Sequence, residues 1–208
     1  MAPTGPLVFV VDDDASVRKS LARLVKAAGY EVEAFASVGD FLARAPFEGP
    51  GCLLLDVRMP GQTGLDLQET LRAAERRLSI VFITGHGDVR SSVTAMKGGA
   101  VDFLTKPLDE EALLTAIRQA VRRTTDEHAE HGRVTAVRNC VATLTPREAE
   151  VFALVVTGML NKQIGAQLGI GEKTVKVHRA RVMEKMQAGS LAQLVRLAGT
   201  GGMIAARA

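Results

Sequence analysis

The stretch that decides the fold reads CLLLDVRMPG, residues 52–61. Its apolar run ends at Leu55 and is bounded by Asp56 and by the turn pair Pro60-Gly61, which is typical of a short strand buried on both faces. Asp56 therefore lies where a predicted buried strand ends. That position makes it the acidic residue with the strongest claim to a chemical role.

Four more apolar runs of strand length occur in the first half of the chain, and longer helical patterns separate them. In the first separating stretch, Val17, Leu21 and Val25 recur at helical spacing, and Gly29 follows where helix ends favour a left-handed residue. The five runs cover residues 7–11, 32–35, 52–55, 80–83 and 101–105. This alternation predicts an α/β fold, a flavodoxin-like doubly wound sheet of five parallel strands.

A chain of 208 residues suits two domains, one of them small. The last helix of the α/β domain is predicted to open after Pro107 and to end near Arg123. Residues 124–142 lack a continuous apolar stripe, so we predict a partly helical linker there. The α/β domain is therefore placed at residues 5–123 and the second domain at residues 143–208.

The second domain is predicted to be a small all-α bundle of four helices. It opens on Thr145, Pro146 and Glu148, which form a capping box with proline at the first helical position. Apolar residues then recur at helical spacing in four short segments between glycines. The segments cover residues 151–156, 163–168, 175–186 and 191–197.

Composition narrows the classes of protein that the chain can belong to. It is 47% hydrophobic and 24% charged, as soluble globular proteins are, and no apolar stretch approaches the ~18 residues of a membrane span. The amino terminus lacks a signal-peptide pattern, which predicts a cytoplasmic protein without a membrane segment. Cys52 and Cys140 are too few for a disulfide framework or a zinc site, so both are expected to be reduced.

Positive charge is concentrated in the last third of the chain. From Leu144 onward there are nine Lys and Arg against four Asp and Glu, whereas the preceding residues carry 17 against 19. The second domain is therefore the candidate nucleic-acid binder. Aromatic residues make up 4% of the chain and Trp is absent, so we expect helices and phosphate contacts on double-stranded DNA rather than a base-stacking platform.

Polar residues fall at the predicted strand ends of the α/β domain. Asp12 and Asp13 close the first run and Asp56 the third, while Thr84 and Lys106 close the fourth and the fifth. In a flavodoxin-like sheet, the first and third strands flank the switch point where ligands bind. Clustered carboxylates recruit a hard cation such as Mg²⁺, and Lys106 and Thr84 can hold phosphoryl oxygens. Asp56 could then attack phosphorus and form an acyl phosphate.

This constellation resembles the receiver domain of bacterial two-component response regulators across nearly the whole α/β domain. The resemblance implies that Asp12 and Asp13 position Mg²⁺. It also implies that Asp56 is the phosphoacceptor and that Arg58 gives its backbone carbonyl to the metal. Asp14 lies outside the essential acidic pair and is expected to cap the following helix.

The same resemblance implies a switch around the phosphoacceptor. Thr84 would contact a phosphoryl oxygen, and Lys106 would form an ion pair with it. The bond from Lys106 to Pro107 would be cis. Phe103 falls at the position of the aromatic residue whose ring turns inward when Thr84 moves. His86, which lies in the loop after the fourth run, is assigned no metal role.

Residues 161–170 and 174–179 are typical of a helix-turn-helix in the second domain. The segment 144–199 resembles the LuxR/FixJ-type DNA-binding domain, above all in the run TVKVH that begins at residue 174. The resemblance implies that Lys176 and Val177 meet base edges. Four further residues would lie nearer the phosphates: Lys162, Lys173, Thr174 and Arg179.

Two more features of this domain bear on its packing and assembly. Gly165 stands where the family has alanine, and a glycine costs a helix about 1 kcal/mol relative to alanine, so this helix is expected to be soft. The final helix, residues 190–198, would supply a dimer face in the family, or it would complete the core instead. The candidate dimer residues are Leu191, Leu194 and Val195.

Together the two resemblances point to a two-component response regulator of the FixJ/NarL (LuxR-type) family. The implied function is transcription regulation: a sensor histidine kinase phosphorylates Asp56 with Mg²⁺, and a homodimer binds promoter DNA. RNA polymerase is a further candidate partner. No enzyme activity is expected beyond self-phosphorylation and slow self-dephosphorylation.

Two alternatives stay open at this stage. Residues 12–16, DDDAS, satisfy the Asp-x-Asp-x-Ser pattern of haloacid-dehalogenase-type phosphohydrolases, with Asp12 as nucleophile. That hypothesis leaves Asp56 and the basic domain without a role. The other alternative is a DNA-binding protein whose receiver domain acts independently of phosphorylation, and the intact Asp, Thr and Lys set argues against it.

Overall fold

The structure of the protein is a computed structural model that describes residues 5–47, 49–85 and 89–202. The chain forms two compact units that divide between Ala129 and Glu130. The first unit contains a parallel β-sheet flanked by helices, and the second is helical.

The first unit is built on a five-stranded parallel sheet in the order β2-β1-β3-β4-β5. The strands are β1 (Leu7–Val11), β2 (Glu31–Phe35), β3 (Gly51–Asp56), β4 (Ser79–Thr84) and β5 (Asp102–Thr105). Each predicted run became a strand whose ends differ from the prediction by at most one residue. The flavodoxin-like fold is confirmed, and its switch point lies between β1 and β3.

Helices cover both faces of this sheet and bury it completely at its centre. They are α1 (Ala15–Ala27), α2 (Val38–Ala43), α3 (Gly64–Ala73), α4 (Val89–Lys97) and α5 (Glu110–Ala142). Because side chains alternate along a strand, Phe9, Leu53 and Phe82 pack in one core with α2, α3 and α4. Val10 and Leu54 pack in the other core with α1 and α5. Burial on both faces explains why the central strands read as unbroken apolar runs.

Helix α5 runs without a break from Glu110 to Ala142. The predicted end near Arg123 was therefore wrong, and residues 124–142 are helical throughout. That prediction relied on the loss of the apolar stripe after Arg123. Helix-forming residues without proline are sufficient to continue the helix here. Ion pairs one turn apart add support: Arg123 donates to Glu127 at 3.0 Å, and Arg133 pairs with Glu130.

The second unit contains the four predicted helices of the bundle. They are α6 (Pro146–Val155), α7 (Asn161–Leu168), α8 (Glu172–Lys185) and α9 (Leu191–Thr200). Apolar side chains from these helices form a core that also includes Val137 of α5. The carboxyl-terminal end of α5 therefore belongs to the packing of this unit.

The predicted capping box at the start of α6 is confirmed and extends to α8. Thr145 N donates to Glu148 Oε2 at 2.9 Å, and Thr145 Oγ1 accepts from Glu148 N. Lys185 Nζ donates to the same Oε2 atom at 2.6 Å. These bonds, that of Lys185 first, lower the pKa of Glu148 to about 2. The buried carboxylate therefore ties the start of α6 to the end of α8.

The two cysteines have different surroundings. Cys52 lies fully buried within β3, whereas Cys140 is half-buried near the end of α5, and both are free thiols. Burial raises the pKa of the Cys52 thiol. The reduced state of both thiols stays a prediction.

Gly165 of α7 lies against the turn that leads to α8. Ile170 N donates to Gly165 O at 3.0 Å, which draws the turn back over the helix. A Cβ atom added at Gly165 would lie 2.7 Å from Ile170 O, closer than carbon and backbone oxygen approach. The close contact therefore requires glycine at this position. The tight turn that glycine allows offsets the loss of helix propensity that the sequence predicted.

We expect Gly165→Ala to destabilise the second unit. The gain in helix propensity is about 1 kcal/mol, but overpacking against a backbone oxygen costs about 1–3 kcal/mol. Urea denaturation followed by circular dichroism should show an earlier transition for the helical unit.

Gly199→Ala is the matched control, because Gly199 is also helical and an added Cβ atom would meet nothing within 4 Å. We expect that variant to be as stable as the parent or more stable. Equal stability of the two alanine variants would show that the turn does not require Gly165.

Candidate functional site

The carboxyl edge of the sheet brings the predicted acidic residues together. Val11 of β1 lies opposite Leu55 of β3, so Asp12 and Asp56 lie side by side just beyond this pair. Both are buried, with 1% and 7% of their surface exposed, whereas Asp13 is exposed. Two buried carboxylates so placed need a compensating cation.

Lys106, directly after β5, supplies that cation. Its Nζ atom donates to Asp12 Oδ2 at 2.7 Å and to Asp56 Oδ2 at 2.8 Å. Burial by itself lowers the pKa of the amine, but the hydrogen bonds and charges of the two carboxylates outweigh burial and raise it. The amine is therefore charged at neutral pH, and its contribution to stability is lost as the pH rises through the raised pKa. The bond from Lys106 to Pro107 is cis, as predicted.

Backbone groups fix the two buried carboxylates. Arg58 N donates to Asp56 Oδ1 at 3.0 Å, and Asp14 N donates to Asp12 Oδ1 at 2.8 Å. Asp14 in turn caps α1 as predicted, because its side chain accepts from Ser16 N at 2.7 Å. Backbone bonds of this kind, that of Ser16 foremost, lower the pKa of Asp14. Both buried carboxylates therefore have a fixed orientation.

The three predicted metal-binding carboxylates converge. One oxygen from each of Asp12, Asp13 and Asp56 lies within 4.8 Å of the others. Carboxylate oxygens are the ligands that Mg²⁺ prefers in proteins, so the residues fit the predicted ion. The backbone carbonyl of Arg58 as a fourth ligand stays a prediction.

Thr84 and Phe103 lie on the strands that follow Asp56 across the sheet. In the register of β3 and β4, Asp56 lies beside the penultimate residue of β4, which places Thr84 at the same edge. Thr84 is buried, and its backbone oxygen accepts from Lys106 N at 2.7 Å. The Phe103 ring is half-buried and lies 6.2 Å from the Phe82 ring. The switch roles of Thr84 and Phe103 stay predictions.

Two residues that support the site were missed in the sequence. Arg18 Nη1 donates to Asp12 O at 2.6 Å, so α1 holds the backbone of the acidic loop. Gly64 opens α3, where a Cβ atom would lie 2.2 Å from Asp56 O. Neither residue belongs to an apolar pattern. The sequence did contain a signal for Gly64, because this glycine directly follows Thr63, which caps the helix.

The predicted DNA-contacting residues lie mainly on the solvent side of α7 and α8. Val175 and Val182 of α8 are buried in the core of the second unit. Five of the six predicted contact residues are exposed: Lys162, Lys173, Thr174, Lys176 and Val177. Val177 keeps 51% of its surface exposed, so an apolar side chain is available for a thymine methyl group.

Arg179, the sixth residue, is half-buried and already has a partner. Its Nη1 atom donates to Asn161 Oδ1 at 3.0 Å, which connects α8 to the first residue of α7. A guanidinium carries five N–H donors, so this bond leaves others for a phosphate. Asn161 is therefore a supporting residue that the sequence pattern did not reveal.

The predicted dimer face on α9 needs a correction. Leu194 is fully buried in the core of the second unit, because α9 completes the bundle with this side of the helix. Val195 is half-buried, and Leu191 keeps 38% exposure. Leu194 therefore cannot offer its side chain to a second copy.

Helix α4 has more exposed apolar side chains than the predicted face on α9. Val89, Val93 and Met96 are 80%, 45% and 47% exposed, and their spacing of four and three places them on one side of the helix. We call these three residues the α4 stripe. His86, which precedes α4 in sequence, lies outside the described residues.

Family models match both units of the chain. The model described as the response regulator receiver domain matches residues 8–118, and the model described as bacterial regulatory proteins, luxR family, matches residues 142–198. The chain therefore belongs to the response regulators that join a receiver domain to a LuxR-type DNA-binding domain.

The most informative relatives are similar over nearly the full chain. Nodulation protein W of Bradyrhizobium diazoefficiens is 46% identical over 98% of this chain and 90% of its own length. Transcriptional regulatory protein FixJ of Azorhizobium caulinodans is 43% identical over 94% of this chain and 93% of its own. The solved structure of response regulator StyR has a TM-score of 0.87 at 47% identity, covering 93% of this chain and 98% of StyR.

The family excludes one of the two alternatives that the sequence left open. Response regulators with a LuxR-type domain regulate transcription and are not enzymes, so the phosphohydrolase hypothesis with Asp12 as nucleophile is wrong. In the part of the chain that the structure describes, no helix is both long and apolar enough to cross a membrane.

We expect Lys106→Met to destabilise the first unit at neutral pH. The substitution keeps the length of the side chain but leaves two buried carboxylates without a cation. Breaking a buried ion pair costs about 3–5 kcal/mol, and the partial exposure of Lys106 should reduce this to about 1–3 kcal/mol. Urea denaturation at pH 7 measures the loss.

Lys19→Met is the control, since Lys19 is exposed on α1, and it should leave the midpoint unchanged. Equal stability of both variants at pH 7 would contradict the bridging role.

Proposed function

We propose that a sensor histidine kinase transfers a phosphoryl group to Asp56 of this chain, and that the phosphorylated chain forms a homodimer that binds promoter DNA. Residues 5–123 act as the phosphoacceptor domain and residues 143–208 as the DNA-binding domain. The proposed location is the cytoplasm, and RNA polymerase is a further proposed partner. One observation carries the proposal: a single ammonium, that of Lys106, is held between two buried carboxylates.

The Lys106 bridge supports phosphoryl binding because its geometry allows exchange. The ammonium donates to one oxygen of Asp56 while Arg58 N donates to the other. A phosphoryl group on Asp56 brings new anionic oxygens to the same place, and Lys106 can turn to one of them without leaving the site. Thr84, at the end of the next strand, donates its hydroxyl to another oxygen in this proposal.

Asp12, Asp13 and Asp56 hold Mg²⁺, with the backbone carbonyl of Arg58 as the further proposed ligand. The convergence of three carboxylate oxygens within 4.8 Å supports this assignment. When bound, the ion neutralises negative charge on the transferring group. The chain's own contribution is to keep the three carboxylates together against their mutual repulsion.

The proposed transfer is a displacement at phosphorus. An Asp56 oxygen attacks the phosphohistidine of the kinase, an O–P bond forms, and the N–P bond to the imidazole breaks. The imidazole leaves as the neutral ring, because its other nitrogen already carries a proton when the N–P bond breaks. The product is an acyl phosphate, whose added negative charge stays beside Lys106.

A groove beside the site supports a docking position for the kinase. It has a volume of about 390 Å³ and lies between the first turns of α1 and the start of α5. Apolar side chains, among them Leu21, Pro107 and Leu113, line it together with Lys106. An apolar helix of the kinase could pack there with its phosphohistidine directed at Asp56.

The α4 stripe supports the dimerisation step. Three exposed apolar side chains on one short helix are an unpartnered surface, and covering such a surface is favourable. In this proposal, Thr84 and Phe103 respond to phosphorylation and reposition α4, and a second copy then covers the stripe. The remaining exposed residue of the predicted α9 face, Leu191, is the competing surface.

The exposed residues of α8 support the DNA-binding step. Lys176 and Val177 would meet base edges in the major groove, and Lys162, Lys173, Thr174 and Arg179 would contact phosphates. Dimerisation places two such helices on two half-sites, which multiplies the contacts. Binding should weaken steeply with salt, because phosphate contacts release counterions.

We expect Asp56→Asn to abolish Mg²⁺-dependent labelling by a small phosphodonor such as acetyl phosphate, since the amide cannot form the acyl phosphate. Mass spectrometry measures the label. Size-exclusion chromatography and DNA binding at a fixed salt concentration, with and without phosphodonor, measure the response.

Asp126→Asn, on the exposed surface of α5, is the control and should label normally. Undiminished labelling of Asp56→Asn would exclude this residue as the phosphoacceptor. Normal labelling of the parent with unchanged size and DNA affinity would favour the phosphorylation-independent alternative.

A double change, Val93→Gln with Met96→Gln, should keep the labelling but reduce phosphodonor-induced dimerisation. Glutamine keeps helix propensity while it makes the α4 stripe polar. Analytical ultracentrifugation of the labelled protein measures the dimer. Leu191→Gln is the comparison, and loss of the dimer in that variant alone would move the interface to α9.

A further inference from the structure

A basic groove lies at the edge of the sheet opposite Asp56. It has a volume of about 270 Å³ and lies where α3 ends, β4 begins and α4 ends, with α5 along one side. Arginines from separate elements line it: Arg72 of α3, Arg76 and Arg77 of the following loop, and Arg123 of α5. Arginines from three parts of the fold thus line one recess.

The charges in this groove are not balanced. Two carboxylates, those of Glu75 and Glu127, also line it, and Glu127 is already paired with Arg123 at 3.0 Å. Among the described residues, neither Arg76 nor Arg77 has a carboxylate within ion-pair distance. Arg72 has Glu69 as a partner at 3.8 Å, so Arg76 and Arg77 face one remaining carboxylate, that of Glu75, and the groove carries a surplus of one positive charge.

The chain turns sharply beside the groove, where α3 ends. Glu75 takes a left-handed conformation with φ of 51°, which favours glycine over a residue with a side chain. Arg76 N donates to Leu71 O at 3.0 Å, which ends α3 with a common left-handed cap and leaves Arg76 and Arg77 in the loop that lines the groove.

We propose that this groove binds a compact anion with at least two linked phosphate groups, such as a diphosphate or the diphosphate end of a nucleotide. A planar guanidinium binds phosphate oxygens through paired hydrogen bonds, and a linked anion reaches arginines on different elements at once. A single phosphate spans fewer of them. The site is separate from Asp56, because β4 runs from one to the other.

The test is isothermal titration of the full chain with inorganic pyrophosphate, inorganic phosphate and adenosine diphosphate. The buffer contains EDTA, and the protein carries Asp56→Asn, so the result does not depend on phosphorylation or Mg²⁺. We expect pyrophosphate to bind more tightly than phosphate. If adenosine diphosphate binds as tightly as pyrophosphate, the groove recognises the diphosphate end alone. If adenosine diphosphate binds more tightly, the groove recognises a nucleotide.

Arg76→Gln with Arg77→Gln should weaken pyrophosphate binding by about tenfold or more, because each charge-assisted contact is worth about 1.5–3 kcal/mol and 1.4 kcal/mol is tenfold. Both residues are exposed, so folding should be unaffected. Glu75→Gln should tighten binding, since it removes a repelling carboxylate from the groove.

Arg122→Gln is the matched control, because Arg122 is exposed on α5 and is not part of the groove lining. Four results would overturn the proposal: no binding of pyrophosphate, equal weakening by Arg122→Gln, no gain from Glu75→Gln, or binding of a hexaglutamate peptide without binding of pyrophosphate. The last result would assign the groove to an acidic protein segment.

Discussion

The rest of the first unit depends on one ammonium group shared by two buried carboxylates. Asp12 and Asp56 reach the same point because β1 and β3 are neighbours in the sheet, and Lys106 must come from the far strand, β5, to bridge them. The bridge therefore connects three strands across the sheet at their carboxyl ends. Its electrostatic balance also makes the site responsive, since any added negative charge changes what Lys106 can contact.

The strand ends could be predicted because the physics that places them is local. A buried parallel strand leaves an unbroken apolar run in the sequence, and the polar residue that follows lies at the edge of the sheet. Asp12, Asp56 and Thr84 follow this rule, whereas Lys106 follows the half-buried edge strand β5. The order of the strands then brings the side chains together, so the carboxylate cluster followed from fold class alone.

Other features depended on contacts that no local pattern records. Gly64 and Gly165 are each required by a backbone oxygen that approaches from another segment. The burial of Leu194 depended on which side of α9 faces the bundle, and apolar spacing alone left that open. The length of α5 was missed for a different reason: ion pairs and helix propensity extend this helix where the apolar stripe fades.

The pairing of β1 with β3 also has a consequence for how the chain folds. Leu7 pairs with Gly51, so the centre of the sheet forms only after the chain has closed a loop that contains α1, β2 and α2. Loops of this size make parallel sheets slow to form, whereas helical bundles rely on contacts between near neighbours and fold faster. The helical unit, although it is made last on the ribosome, should therefore reach its native state sooner after its synthesis than the sheet does.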